Sequence, residues 1–367
     1  MKGDISELFW GETVTTRSSP PFRRPGSFKD RDYLETDEGL VFCVVGEVHP
    51  PERAFAYLKY MVSAEETRRV LRFYSVPHVE ETTRMLESRY PEYLFQDVFS
   101  GLRFPAVPTS KVKVHHKPEN GIKRITMAPR DPLEDKALRL ATLLSERAGV
   151  PLGNFGVTGS ILLGIHNLAY SDIDLIVYGR EESARLKEAL QGLYGEAKVE
   201  RFKGERLKRW CEEKARLHPL TFLDAEEIYR RTWNRGVFRG TFFSVHPVRA
   251  DWEVKETYGD KRLIGEGIIE AEATILDASE SLFLPALYKI GEVKVSAGLE
   301  ADGISELVSF EGLYSGIFRK GERVKVRGLL ERVESLLNGK IYRRILVGSR
   351  AAGGGDYVKP LSQTFEV

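Results

Sequence analysis

The stretch NFGVTGSILLGIHNLAYSDIDLIVY, residues 154–178, decides how the chain is read. A short β-prone run from Asn154 to Thr158 breaks at Gly159 and Ser160 and enters a brief apolar helix. After a loop, a strongly apolar strand opens on Asp172 and Asp174. Residues i and i+2 of a strand point to one face, so the two carboxylates share a face while Ile173 turns into the core. Leu175, Ile176 and Val177 bury the rest of that strand. Hard Mg²⁺ prefers carboxylate oxygens, and nucleotidyl transfer uses two such ions roughly 3.5–4 Å apart. Glycine lets the backbone approach a phosphate, and Ser160 with the first N–H groups of the helix can bond its oxygens. Singly, Gly-Ser is an ordinary turn and Asp-x-Asp a solvated strand edge; it is their order and spacing that join them.

Gly-Ser followed about a dozen residues later by Asp-x-Asp at the head of an apolar strand resembles the signature of the DNA polymerase β-like nucleotidyltransferase superfamily. The resemblance covers the middle of the chain. It implies that Gly159 and Ser160 contact the phosphates of a nucleoside triphosphate donor and that Asp172 and Asp174 bind Mg²⁺ or Mn²⁺. It also implies a third carboxylate on a later strand. The candidate strand, Thr241 to Arg249, carries no acidic residue, so Asp251, as a third metal ligand, or Glu253 is expected to serve, with Glu200 and Asp224 as weaker candidates. Arg235, Arg239 and Arg249, with Arg230 and Arg231 nearby, offer guanidinium groups that pair bidentately with phosphate. A helix surface neutralised by Glu226 and Glu227 explains Arg230 and Arg231 equally well.

Outward from this core, Asp131 caps a helix with Pro132 at its first position, and Gly149 and Pro151 end it. Upstream, LVFCVVGEV and RAFAYLKY read as strands, and SAEETRRVLRFY and HVEETTRMLESRY as helices, the second stopped by Pro91. The Pro- and Arg-rich stretch before Gly39 reads as an extended arm, and His115 and His116 as solvent-facing residues of a basic connector. Beyond Lys261 the segments EGIIEAEATIL, LFLPALYKIGEVKV, ELVSFEGLY, ERVKVRGLLERV and KIYRRILVGS are strand-like and separated by turn residues, which suggests a small closed barrel. Its texture resembles an oligonucleotide-binding barrel, with Arg323, Lys325, Arg327, Tyr342, Arg343 and Arg344 as the nucleic-acid candidates. The whole order resembles a family of archaeal proteins described as predicted nucleotidyltransferases with a carboxy-terminal OB-like barrel.

The expected fold class is therefore α+β and multidomain. An amino-terminal α+β unit spans residues 1–128, a nucleotidyltransferase core with a mixed sheet and helices 129–258, and an OB-like β-barrel 259–367. The 55 Lys and Arg nearly cancel the 54 Asp and Glu, which excludes indiscriminate attraction of polyanions and leaves partners to local patches. Cys43 and Cys211 form no CxxC pair, so neither a disulfide framework nor a structural zinc site is supported. The amino terminus lacks the apolar core of a signal peptide, and no run reaches the length of a membrane span, so a cytoplasmic protein is expected. Scarce Gln beside abundant Glu, Lys and Arg hints at a thermophile. The function expected is metal-dependent transfer of a nucleoside monophosphate from an NTP to an RNA or DNA end, with protein or small-molecule acceptors left open. The rival is a nucleotide- or nucleic-acid-binding scaffold that has lost catalysis.

Overall fold

The computed structural model describes residues 22–361 except 64–65 and 72–75; the amino-terminal half of the expected arm lies outside them. The described residues form a mixed α+β protein with three sheets.

The first sheet is built from β1 (Tyr33–Thr36), β2 (Leu40–Val44), β3 (Arg53–Val62), β4 (Thr67–Arg69), β5 (Leu94–Gln96), β6 (Arg103–Pro108) and β7 (Val112–His116), with α1 (Val76–Arg89) packed beside it. It runs in the order β5-β6-β3-β2-β1-β7, with β4 added to β3. The expected helix at SAEETRRVLRFY is corrected here. Thr67 to Arg69 pair antiparallel with Val62 to Tyr60 of the long strand β3, and this non-local ladder overrides the helical propensity of the segment. His115 and His116 are corrected as well: they sit on β7, half-buried, and reach Asp32 at 2.8 Å and Glu35 at 3.1 Å across the β1 ladder.

In the middle of the chain lie α2 (Pro118–Met127), α3 (Pro132–Ala148), β8 (Phe155–Val157), α4 (Gly159–Leu163), β9 (Ile173–Tyr178), α5 (Arg180–Leu193), β10 (Val199–Glu200), α6 (Gly204–Leu217), α7 (Phe222–Arg231), β11 (Arg235–Phe238) and β12 (Thr241–Val248). Asp131 caps α3 by accepting from the N–H groups of Leu133 (2.8 Å) and Glu134 (3.0 Å), and Gly149 closes it in a left-handed conformation. The second sheet has the order β10-β11-β12-β9-β8, with β9 and β12 parallel. Ile173, Leu175 and Val177 turn to α3 and α5, joining Leu140, Leu144, Leu186 and Leu190 in one buried cluster. Asp172, Asp174, Ile176 and Tyr178 therefore face the other way. Ile122 and Ile125 of α2 enter the same cluster, so the second core begins amino-terminal to residue 129.

The third sheet contains β13 (Lys261–Asp277), β14 (Ala286–Ala297), β15 (Ile304–Ser309), β16 (Arg323–Ser335), β17 (Ile341–Val347) and β18 (Tyr357–Pro360). Its pairings run β13-β14-β15-β17-β16 and return to β13, making a ring-like sheet with β18 outside on β16. Its core is shared with α6 and α7, which contribute Trp210, Cys211, Ile228 and Tyr229. Cys43 and Cys211 are both buried, free thiols. Among the described residues no helix is long and apolar enough to cross a membrane.

Candidate functional site

The turn after β8 and the head of β9 are forced together by their ladder. Thr158 N donates to Asp174 O at 3.0 Å, which brings Gly159 directly against the Asp174 side chain. Gly159 has φ +66°, and a Cβ there would lie 2.8 Å from Asp174 Oδ2. Any side chain would collide with the carboxylate, so glycine is required both for conformation and for clearance. Ser160 follows at the start of α4.

The face of β9 that carries the acidic pair looks toward the amino-terminal sheet. Leu162, Leu163 and Ile165 pack against Tyr33, Tyr57, Tyr60 and Leu71, and Thr158 Oγ1 donates to Arg31 O at 2.8 Å. This packing delivers Lys59 of β3, whose ammonium donates to Tyr33 OH at 2.5 Å and interacts electrostatically with Asp174. Arg69 of β4 acts on Asp172 in the same way. Burial lowers Lys59 below the usual ammonium range, with Asp174 among the groups opposing that shift.

The two carboxylates are unlike. Burial, and then the neighbouring Asp174, push Asp172 up to about 6, against the pull of Arg69 and Lys59. Burial would also raise Asp174, but the nearby His246 ring, the charge of Lys59 and the hydrogen bond from Ser244 hold it below the ordinary carboxylate range. Ser244 lies opposite Asp174 in the β9–β12 register and donates to Asp174 Oδ1 at 2.5 Å. With its one proton so used, Ser244 Oγ accepts from His246 Nε2 at 2.8 Å. His246 Nε2 is itself 3.8 Å from the carboxylate, too far to bond it. Burial and Arg31 push His246 down to about 4, so at neutral pH it is an uncharged ring that reaches Asp174 through Ser244.

The structure does not bring the other expected carboxylates to this pair. Asp251 lies beyond the end of β12 that pairs with Tyr178, at the opposite end of the sheet from Asp174. It is consumed there by Lys29, by the N–H of Arg24 and by Ser27 Oγ at 2.8 Å. Glu253 accepts from Ala250 N at 2.9 Å and Arg180 N at 2.8 Å. Asp224 closes the capping box of α7 by accepting from Thr221 N at 2.8 Å and pairs with Lys359 at 2.8 Å, and Glu200 is exposed on β10.

Among the cations, Arg249 binds Glu280 at 2.6 Å and stacks over Phe283, and Arg239 lies over Phe238 at the β11–β12 turn. Arg230 and Arg231 both pair with Glu227, as a neutralised helix surface would. Arg235 alone of these is deeply placed near Asp174. On the ring-like sheet the expected nucleic-acid residues already have partners: Arg323 with Glu272, Lys325 with Glu270, Arg343 with Glu266, Arg344 with Glu331, and Arg327 with Gly355 O. Tyr342 lies on β17 opposite Val333.

A second acidic cluster, Asp131, Glu134 and His166, has the spacing of a metal site. Its oxygens are engaged by the α3 cap, by Arg124 at 2.7 Å and by Arg130 N at 2.8 Å. Lys59, Arg69, Arg31, Ser244 and His246 were not singled out from sequence. A lysine inside the apolar run AFAYLKYMV was the one local sign of them.

Comparison with known proteins finds similarity to an "Uncharacterized protein MJ1086" of Methanocaldococcus jannaschii, 30% identical over 341 residues, which span 90% of this chain and 98% of that protein. No family model and no solved structure matches the chain.

Proposed function

We propose that this chain, which belongs to the family of that Methanocaldococcus jannaschii protein, is a Mg²⁺- or Mn²⁺-dependent nucleotidyltransferase of the polymerase β-like kind. The oxygen of an acceptor hydroxyl bonds to the α-phosphorus of an NTP as its O–H proton is lost to solvent and the α–β phosphoanhydride bond breaks, and pyrophosphate leaves with the electron pair. The observation that carries this reading is the contact of the Gly159 turn with Asp174, on the sheet face that also presents Asp172.

The residues fit a divalent cation. Two hard-oxygen donors sit side by side at a partly solvated site, and Asp172 is pushed to about 6 by partial burial and its like-charged neighbour, a strain that a bound cation relieves. Asp172 and Asp174 would hold it, and when bound it supplies charge neutralisation to the phosphates. The chain's own contribution is positioning. Ser160 and the open backbone at Gly159 orient phosphate oxygens, Lys59 and Arg69 add positive charge beside the pair, and Ser244, backed by His246, fixes the Asp174 carboxylate.

The acceptor in this reading is an RNA or DNA end carried by the third sheet. Support for an OB-like barrel there comes from the order of pairings, with the first strand joined to the second and fourth and the third parallel to the fifth. The pairs Arg323–Glu272 and Lys325–Glu270 are exposed enough for phosphates to displace the carboxylates. A second reading, a cytoplasmic nucleotide-binding scaffold without catalysis, is favoured by one observation: Ser244 occupies the position beside Asp174 where a third carboxylate would complete the site. Incubation with Mg²⁺ or Mn²⁺, each labelled NTP and pools of RNA, DNA, protein and metabolites tests the proposal. Pyrophosphate release with label in one pool supports the transferase, and metal-dependent NTP binding without release supports the scaffold.

A further inference from the structure

Behind the acidic pair, the amino-terminal segment, the second sheet and the loops of the third sheet meet around a cleft of about 60 Å³. Arg31, Asn234, Arg235, His246, Phe283 and Ser315 are among the residues that line it. A water needs roughly 10–15 Å³ by this measure, so the space suits about four to six water-sized atoms, the size of a tetrahedral oxyanion.

Its charge is unbalanced. Asp30 also lines the cleft, but its carboxylate is met by Arg31 at 3.3 Å and by the N–H of Gly46 at 3.0 Å. Arg235 has no such partner: it makes no ion pair with a carboxylate among the described residues, feels Asp174 only at a distance, and its Nε is buried with no hydrogen bond. Arg31, in contrast, spends its Nε on that contact with Asp30, which leaves the two terminal nitrogens of its guanidinium for a ligand. Asn234 is occupied, donating to Val245 O at 3.0 Å. His246 is the link to the acidic pair, through Ser244 and Asp174. A buried guanidinium with no counter-charge is costly, and the cost is recovered when an anion fills the space before it.

We propose that this cleft is a phosphate-binding pocket, in which Arg235 and Arg31 grip a phosphoryl group and Ser315 adds a hydroxyl. It deepens the nucleotidyltransferase reading and rests on it only for the larger ligand: the group held is one phosphoryl group, either the end of the phosphate tail of a nucleotide at Asp172 and Asp174 or part of a free oxyanion, inorganic phosphate or the pyrophosphate product.

The test uses full-length, metal-free protein in buffers of matched chloride, with inorganic phosphate and pyrophosphate as probes in calorimetric titration and thermal denaturation. Wild type is expected to bind both and to melt at higher temperature in their presence. Arg235→Met removes the unpaired charge at similar length, so it should melt no lower than wild type without anion and bind phosphate at least roughly ten-fold more weakly. Arg235→Lys keeps the charge but loses the forked donors, and should weaken phosphate several-fold, which keeps the test open if the methionine variant fails to fold. Competition between ATP and phosphate marks the nucleotide tail as the occupant, and simultaneous binding marks a free oxyanion. Absence of phosphate and pyrophosphate binding in wild type, or unchanged binding in both Arg235 variants, overturns the pocket. Because no metal or nucleotide is needed for this readout, its failure leaves the acidic pair to be judged by its own experiment.

Discussion

Asp172→Asn in metal-free protein is the perturbation whose sign is least intuitive. The Asp172 carboxyl lies at about 6 against an ordinary 3.8, raised by burial and then by Asp174. A folded-state value above the unfolded one means that the charged form is penalised in the native state, so wild-type stability falls as pH rises from about 4 through about 6. At 1.36 kcal/mol per unit the ceiling is about 3 kcal/mol. Asp172 is an exposed residue, and solvent screening reduces this to about 1 kcal/mol. Asn keeps the shape and removes the charge. The variant should therefore melt about 1–3 °C above wild type at pH 8 in chelator, with the gain vanishing as pH falls toward 4. With Mg²⁺ and NTP present the order should invert, because only wild type gains the ligand's binding energy. Differential scanning calorimetry across pH reads both effects. A lower melting temperature for the variant at pH 8, or an equal gain at pH 4 and pH 8, would refute the reasoning.

Three further substitutions probe the site and its frame. Gly159→Ala places a Cβ 2.8 Å from Asp174 Oδ2 at a positive φ, so it should cost about 1–3 kcal/mol in denaturant unfolding and weaken metal–nucleotide binding at least ten-fold. Ser244→Ala removes a donor that holds Asp174 below the usual carboxylate range; a group so lowered contributes stability above its ordinary range, so the loss of about 1–2 kcal/mol should be full at pH 7 and shrink as pH falls through the acid limb. Asp251→Asn breaks the partly buried pairing with Lys29 and should cost about 3 kcal/mol in unfolding, while calorimetry of the folded protein shows unchanged Mg²⁺–NTP affinity.

What could be read from the chain was what local chemistry specifies. The α3 cap at Asp131 and Pro132, its glycine stop, the parity of β9 and the strand texture beyond Lys261 all rest on residues within a turn or two of one another. The segment around Thr67 was misread because its partner is β3, and a ladder between separate runs leaves no mark on propensity. The site shows the same division. Gly159, Ser160, Asp172 and Asp174 stand within one supersecondary unit, whereas Lys59 and Arg69 of a different sheet, and Arg31 of the turn before it, arrive by packing of tyrosines against α4. Asp251 was attractive because it follows the right strand, but parallel pairing of β12 with β9 carries it to the wrong end of the sheet. The ring-like sheet looked basic in sequence because its cations alternate with apolar residues; the carboxylates that pair with Arg323, Lys325 and Arg344 lie on neighbouring strands, and the one that pairs with Arg343 lies two strands away.

The measurement that bears most directly on the central claim is calorimetric titration of NTP, with and without Mg²⁺, into wild type and Asp174→Asn. Saturable binding to wild type that requires the metal, and its loss in a variant that remains folded by circular dichroism, is the predicted result. NTP binding of equal strength in both proteins, or binding indifferent to Mg²⁺, would contradict the assignment of Asp172 and Asp174 as the metal-holding pair.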